Sequence, residues 1–235
     1  MHSPARSANG LLASLRDEDF EALRPHLKTA ELPQDRTLIE PGETVKHVYL
    51  PHGGVVSLVV VLETGERVEV AMVGRDSVLG VPAALGVPVA TTNAVVLLPG
   101  AASVIDADRL RAAAEQSATL RTTLVRHGQA HFIQAQQTAA CNVSHAVEAR
   151  LARWLLRVRD LAGGDQFTLT QKLMAQMIGA RRNSVSMVAH MLQQANYIRY
   201  SRGRVEILDP DGLVAIACEC YAAVKTQDER LRLSI

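Results

Sequence analysis

The chain has 235 residues, 48% of them hydrophobic and 21% charged, with a formal net charge of +1. That length fits one large or two ordinary soluble domains, and no apolar run reaches the ~18–20 residues of a membrane span. Three cysteines, Cys141, Cys218 and Cys220, exclude a paired disulfide framework and fit a reducing compartment. The opening residues lack the apolar core of a signal peptide, so a cytoplasmic address is expected and no membrane partner.

Residues 1–107 read as mostly β after a short helix over about Leu11–Leu23. Runs rich in Val, Leu and Ile (Val45–Tyr49, Val55–Val61, Val68–Val73, Ala94–Leu98) alternate with turns at Pro41-Gly42, Gly53-Gly54, Gly65, Gly74, Gly86 and Pro99-Gly100. Turn signals this frequent predict a compact antiparallel barrel or roll. From Asp108 to Leu161 there is no proline and abundant Ala, Leu, Arg and Gln, which predicts helix, with Asp106 or Asp108 as its cap. The two turn formers of Asn142–Ser144 break it into a long helix and a second one over about Ser144–Leu161. On the long helix Leu110, Ala113, Leu120, Leu124, Phe132 and Ala135 form a narrow apolar stripe, which suits a helix-to-helix dimer seam. The competing reading packs that stripe against the chain's own β domain. Gly163-Gly164 then opens a small C-terminal domain. The expected fold is α+β, with boundaries at 1–107, 108–142 and 143–235.

Charge is unevenly spread: residues 1–107 carry a net −5, residues 108–166 +3, residues 167–207 +5 and residues 208–235 −2. The positive block coincides with a helix-turn-helix pattern. Thr170 can cap the first helix, Ala175 is small where helices cross, and Gly179 supplies a left-handed turn residue. Met174, Ile178, Val185, Val188 and Leu192 provide the apolar lock. That leaves Arg182, Asn183, Ser186, Met187 and His190 on the other face, beside Arg181, where such a motif reads the major groove. Thr170 belongs with them as a candidate DNA contact. Two short β runs around Ser201-Arg202-Gly203 form a hairpin wing, with Arg202 and Arg204 placed for phosphates.

A Gly-punctuated β roll, a long helix and a winged helix-turn-helix, in that order, resemble the Crp/Fnr superfamily of transcription regulators. The segment beginning Glu148-Ala-Arg-Leu-Ala-Arg-Trp-Leu-Leu and the stretch Leu169–Tyr200 carry most of the likeness. The resemblance implies a cyclic-nucleotide-binding-like sensor roll, a homodimer, double-stranded DNA as partner and recruitment or blocking of RNA polymerase. It also implies a phosphate cassette with Gly-Glu and, further on, Arg-Ser. Here Val81 follows Gly80 in place of the Glu and Ala90 or Thr91 stands where the arginine belongs, so Gly80, Val81, Ala90, Thr91 and Thr92 are expected to form a degenerate effector pocket with no control by cyclic AMP. No N-terminal cysteine cluster is present, which excludes the iron–sulfur oxygen sensor. The recognition face keeps only the first arginine of the Arg-Glu-x-x-x-Arg pattern of cyclic-AMP receptors, so its operator should differ.

No catalytic motif of the nucleophile-elbow, zinc-protease or phosphate-loop kind occurs, so no catalytic residue and no cofactor are assigned. Cys218-Glu219-Cys220 is too short for a zinc knuckle and has no second pair in sequence. The three thiols read as buried and inert or as a redox switch, and no metal is assigned. His127 and His131, four apart, could share a helix face; polar seam or surface residues are the expectation. The alternative function is an effector-sensing dimeric module acting through protein partners.

Overall fold

The computed structural model describes residues 6–233. The first five residues and the last two, the outer ends of the expected first and last domains, lie outside the described residues. After one 3₁₀ turn come α1 (Gly10–Ser14) and α2 (Asp17–Leu23), where the sequence predicts one helix. Each has its own start: the Asn9 side chain accepts from Leu11 and Leu12 amides, and Asp17, Glu18 and Asp19 fill the first turn of α2. Between them Leu15 and Arg16 are extended.

Seven strands follow: β1 (Lys28–Leu32), β2 (Thr37–Ile39), β3 (His47–Pro51), β4 (Val55–Val61), β5 (Arg67–Val73), then after α3 (Val81–Ala84) β6 (Asn93–Leu98) and β7 (Gly100–Asp106). They pair antiparallel in two sheets, β1-β7-β3 and β2-β6-β4-β5, which is the expected roll. β1, β2 and β7 escape the sequence pattern. Lys28–Leu32 exposes most of its side chains, Thr37–Ile39 is only three residues long, and Gly100–Asp106 begins with small residues. The third strand starts two residues later than Val45. Leu32, Val56, Val73, Val96 and Ala102 fill the space between the sheets. Two turns cross almost in contact: a Cβ on Gly100 would stand 2.2 Å from the Gly53 carbonyl oxygen, so only glycine fits there.

The expected single long helix is two, α4 (Ala107–Gln116) and α5 (Ala118–Ser144). Asp106 caps α4, as predicted, through the amides of Asp108 and Arg109. Ser117 breaks the rod: it is extended, and its hydroxyl accepts from the Leu120 amide at 3.1 Å, capping α5. Thr119 beside it donates to Asp19 of α2 at 2.7 Å. α6 (Val147–Ala162) follows α5 after extended His145 and Ala146, and Gly163 closes it in the left-handed region at φ 72°.

The apolar stripe named from the sequence divides between two faces. Leu110, Leu120 and Leu124 are buried against α1, α2 and the β3 and β7 strands, with Ala113 beside them. Those residues are core of their own protomer, not seam. A different row on α5 lies open: Thr122, Val125, Gln129, Phe132, Gln136, Ala139 and Val143 are all exposed, at alternating spacings of three and four. His127 and His131 also differ from expectation. They turn onto the roll, and both contact the Ser77 hydroxyl, at 3.2 and 3.0 Å, because four residues place them on the roll-facing side.

The C-terminal part adds β8 (Gln166–Thr168), α7 (Gln171–Met177), α8 (Arg182–Gln194), β9 (Ile198–Ser201), β10 (Arg204–Ile207), α9 (Pro210–Ile216) and α10 (Cys220–Leu233). The strands form a sheet in the order β8-β10-β9. No helix among the described residues is long and apolar enough to cross a membrane. One continuous core joins this part to the roll. Leu151, Trp154, Leu155 and Val158 of α6 pack with Met174, Val185 and Leu192 on one side and Val55, Val59 and Met72 on the other.

At the centre of that junction the Trp154 indole N–H donates to Glu69 Oε1 at 2.7 Å, and the Ser57 hydroxyl donates to the other carboxylate oxygen. Glu69 is fully enclosed, and burial raises its pKa to about 7 against the pull of Ser57, Trp154 and Arg153. Between pH 4.5, its ordinary value, and about 7, the unfolded chain gives up this proton while the folded chain keeps it. Stability therefore falls as pH rises through that window and levels off above it. Glu69→Gln keeps an acceptor for Trp154 and a partner for Ser57 without the ionisation. Between about pH 5 and about pH 8, denaturant unfolding should show the parent chain losing of the order of 3 kcal/mol relative to the variant, a difference in which the other titrating groups cancel.

Candidate nucleic-acid interface

The two helices of the candidate interface are locked as the sequence requires. Met174, Ala175, Ile178, Val185, Val188 and Leu192 are at most 5% exposed. Thr170 caps α7 by accepting from the Leu173 amide at 3.1 Å, and Gly179 turns the chain at φ 58°. The turn is braced from behind, since Arg150 of α6 donates to the Ile178 and Gly179 carbonyls.

Locking the apolar side sets the other side of α8 outward. Arg181, Arg182, Asn183, Met187 and His190 are exposed, with Met187 64% exposed. Arg181 is the N-cap residue and makes no capping bond, so the first-turn amides of α8 remain free for an anion. Ser186 differs from its neighbours: it is half-buried, and its hydroxyl donates to Gln171 Oε1 at 2.6 Å, tying α8 to the start of α7. Met191, 40% exposed, extends the outward row, and Lys172 is exposed beside Thr170. Sequence reasoning passed over both, although Lys172 lies in the positive block and Met191 follows Met187 at helical spacing.

The wing is a two-residue hairpin. Arg202 and Gly203 both have positive φ, 48° and 79°, the twisted turn that matches paired strands. It is anchored to the helices at three points. The Leu169 amide donates to the Gly203 carbonyl at 2.7 Å, the Gln171 amide to the Tyr200 hydroxyl at 3.2 Å, and the Tyr200 amide to Gln193 Oε1. Arg199 pairs with Glu206 and is spent inside the wing. Among the described residues, Arg181, Arg182, Arg202 and Arg204 take part in no ion pair. Four unpaired guanidinium groups around one exposed helix form a cationic surface of the kind that meets a phosphate backbone.

A second site lies in the roll, where a cavity of about 400 Å³ opens between the sheets and α5. Of the expected pocket residues, Gly80, Ala90, Thr91 and Thr92 line it. Val81 does not: it is 1% exposed and packs into the core behind α3, because its backbone begins that helix facing α5. Gly128, His131, Phe132 and Ala135 supply the α5 wall, which the sequence could not place without the helix's register. No lining side chain carries a fixed charge, and burial lowers the pKa of His131 to about 4, which holds it neutral at physiological pH.

The roll matches the family model of the cyclic nucleotide-binding domain over residues 29–117, and the region just described matches the Crp-like helix-turn-helix domain over residues 149–216. The chain belongs to the Crp/Fnr superfamily. It is a Crp/Fnr-type transcription regulator. A curated relative, the global nitrogen regulator of Synechococcus elongatus, is 24% identical over 87% of this chain and 96% of its own. FixK2 from Bradyrhizobium japonicum superposes with a TM-score of 0.70 at 16% identity, over 82% of this chain and 98% of its own. The c-di-GMP responsive global regulator CLP of Xanthomonas campestris superposes at 0.65 and 14% identity, over 82% and 99% of the two chains. These likenesses are of fold.

In this Crp/Fnr protein the left-handed Arg202 is held against its own preference, since an L side chain with positive φ costs about 1 kcal/mol. Asparagine tolerates that conformation better. Arg202→Asn should therefore keep or raise stability, by up to about 1 kcal/mol, while weakening salt-sensitive DNA binding. Unfolding curves and gel shifts on the same preparation check both halves.

Proposed function

We propose that this regulator binds a two-fold symmetric operator as a homodimer and that cyclic AMP does not control it. The observation that carries the reading is the outward face of α8, where Arg182, Asn183, Met187 and His190 stand unpaired beside an arginine-tipped wing. Arginine forks onto guanine O6 and N7, asparagine onto adenine N6 and N7, and a methionine lies well against a thymine methyl or a sugar. Arg181, Thr170, Lys172, Arg202 and Arg204 take phosphates, as do the free amides of α8. The proposed division of labour follows the expected boundaries, with residues 1–107 as sensor, 108–142 as dimerisation segment and 143–235 as DNA-binding domain. By family likeness, the output is recruitment or blocking of RNA polymerase.

The open row on α5, Thr122 to Val143, supports the dimer. Its three-four spacing is that of a two-helix seam, with Val125, Phe132 and Val143 as apolar knobs. Two copies joined along α5 set their α8 helices about one DNA turn, ~34 Å, apart. Phe132→Glu should convert the dimer into a monomer in sedimentation or light scattering and lose operator affinity with it. An unchanged dimer would remove this seam.

Base and phosphate roles separate by experiment. Selection from a random DNA pool should yield an inverted repeat. Arg182→Ala or Asn183→Ala should cost ~1–3 kcal/mol and relax one position per half-site, whereas Arg204→Ala should weaken all sequences alike and flatten the salt dependence. A consensus unchanged by Asn183→Ala ends the base-reading assignment.

The cavity supports independence from cyclic AMP. A cyclic phosphate buried there would face no cation, and an anion taken out of water without a partner is strongly disfavoured. An uncharged, largely apolar ligand fits the lining better. Calorimetric titration with cyclic AMP and cyclic GMP should show no binding at micromolar concentration; binding coupled to a gain in DNA affinity overturns this part alone.

A further inference from the structure

The fold brings together two pairs of side chains, Cys141 with His145 and Cys218 with Cys220, that the sequence keeps far apart. Cys141 lies in the last turn of α5, and His145 caps that helix. Cys218 precedes α10 and Cys220 begins it. Cys141 Sγ and Cys218 Sγ are 3.4 Å apart, Cys220 Sγ is 3.6 Å from His145 Nδ1, and all four atoms lie within 4.8 Å of one another. The three thiols are free, and each is at most 7% exposed.

The geometry points to a structural metal site, Cys141-His145-Cys218-Cys220, that takes one tetrahedral thiophilic divalent cation, zinc by preference. With Zn–S near 2.3 Å and Zn–N near 2.0 Å, the edges of such a tetrahedron are about 3.8 Å between sulfurs and about 3.5 Å between sulfur and nitrogen. The observed separations require shifts of only a few tenths of an ångström on the two edges measured. Three sulfurs and one imidazole select zinc over magnesium or calcium, which want oxygen. A cluster of several irons would need the thiolates farther apart, each on its own iron.

The surroundings fit a cation as well as the donors do. His145 Nδ1 faces the sulfurs while its Nε2 meets Glu219 Oε1 at 3.1 Å, the carboxylate–histidine arrangement that fixes which nitrogen ligates. Gln137 donates to Cys220 Sγ at 3.0 Å, a bond suited to a thiolate. Three thiolates and one zinc leave one unit of negative charge, and two buried guanidinium groups lie within electrostatic reach. Arg150 interacts electrostatically with Cys141 and Cys218 and Arg153 with Cys141, and the Nε atoms of both arginines are buried without a hydrogen-bond partner. Filled, the site staples the end of α5 to the start of α10 across the elbow where α5 turns into α6. The site does not depend on the DNA-binding reading.

Elemental analysis of the purified full chain, prepared under reducing conditions with zinc supplied, tests the assignment directly. About one zinc per chain is expected, falling to less than about a tenth in Cys220→Ser and in Cys141→Ser. Cobalt put in place of zinc should give the intense visible bands of tetrahedral thiolate ligation in the parent chain, which needs no variant to fold. Removing the metal with a chelator should lower the melting temperature. Less than about a tenth of an equivalent in the zinc-treated parent chain, or full retention in folded Cys220→Ser, overturns it.

Discussion

The arrangement of this protein hangs on the burial of α6 between two partners. Its one side seals the β roll, and its other side forms the floor on which α7 and α8 sit. Trp154 is the hinge pin of that packing, 1% exposed and bonded to Glu69 of the roll. A buried tryptophan contributes several kcal/mol through excluded area, so the junction resists opening under ordinary thermal motion. The same helix sends Arg150 to brace the helix-turn-helix turn and Arg157 to Asp76 of the roll at 2.9 Å and Asp228 of α10 at 3.7 Å. Recognition helix, roll and C-terminal helix therefore share one reference frame.

The interface for DNA follows from that frame by simple exclusion. Once the apolar residues of α8 are spent on α6 and α7, the exposed face that remains holds Arg182, Asn183, Met187, His190 and Met191 rather than the Glu and Lys mix of an idle surface. The wing adds cations at a rigid tip. In the roll the logic is reversed. The fold holds a chamber against α5 whose lining is largely Val, Ala and Thr and carries no side chain of fixed charge.

The winged helix-turn-helix was legible in the sequence because each of its constraints acts locally. A cap, a small residue, a left-handed glycine and an apolar lock all fall within a single short stretch. The roll was legible as a class through its turns, but β1 and β2 bury too little for alternation to reveal them. α5 was the hard case. One face serves the protomer's own core and another stays open, so Leu120 and Leu124 read as part of the same stripe as Phe132 when they point elsewhere. The break at Ser117, a single hydroxyl against an otherwise helical run, also separates Leu110 and Ala113 on α4 from Leu120, Leu124 and Phe132 on α5. Nor could the cysteine cluster be seen, because Cys141 and Cys218 are 77 positions apart and meet only after α10 returns to α5.

Phe132 occupies two roles at once: it lines the chamber in the roll and stands in the open row of α5, 57% exposed. If two protomers pair along α5 as proposed, a molecule entering the chamber touches the same ring that the second protomer covers. Occupancy and self-association then become linked equilibria, and linkage is reciprocal. A ligand that favours the paired state is itself bound more tightly by pairs, by the same factor. The abundance of the protein in the cell would thus set its sensitivity to the signal, a form of gain control that needs no additional residue.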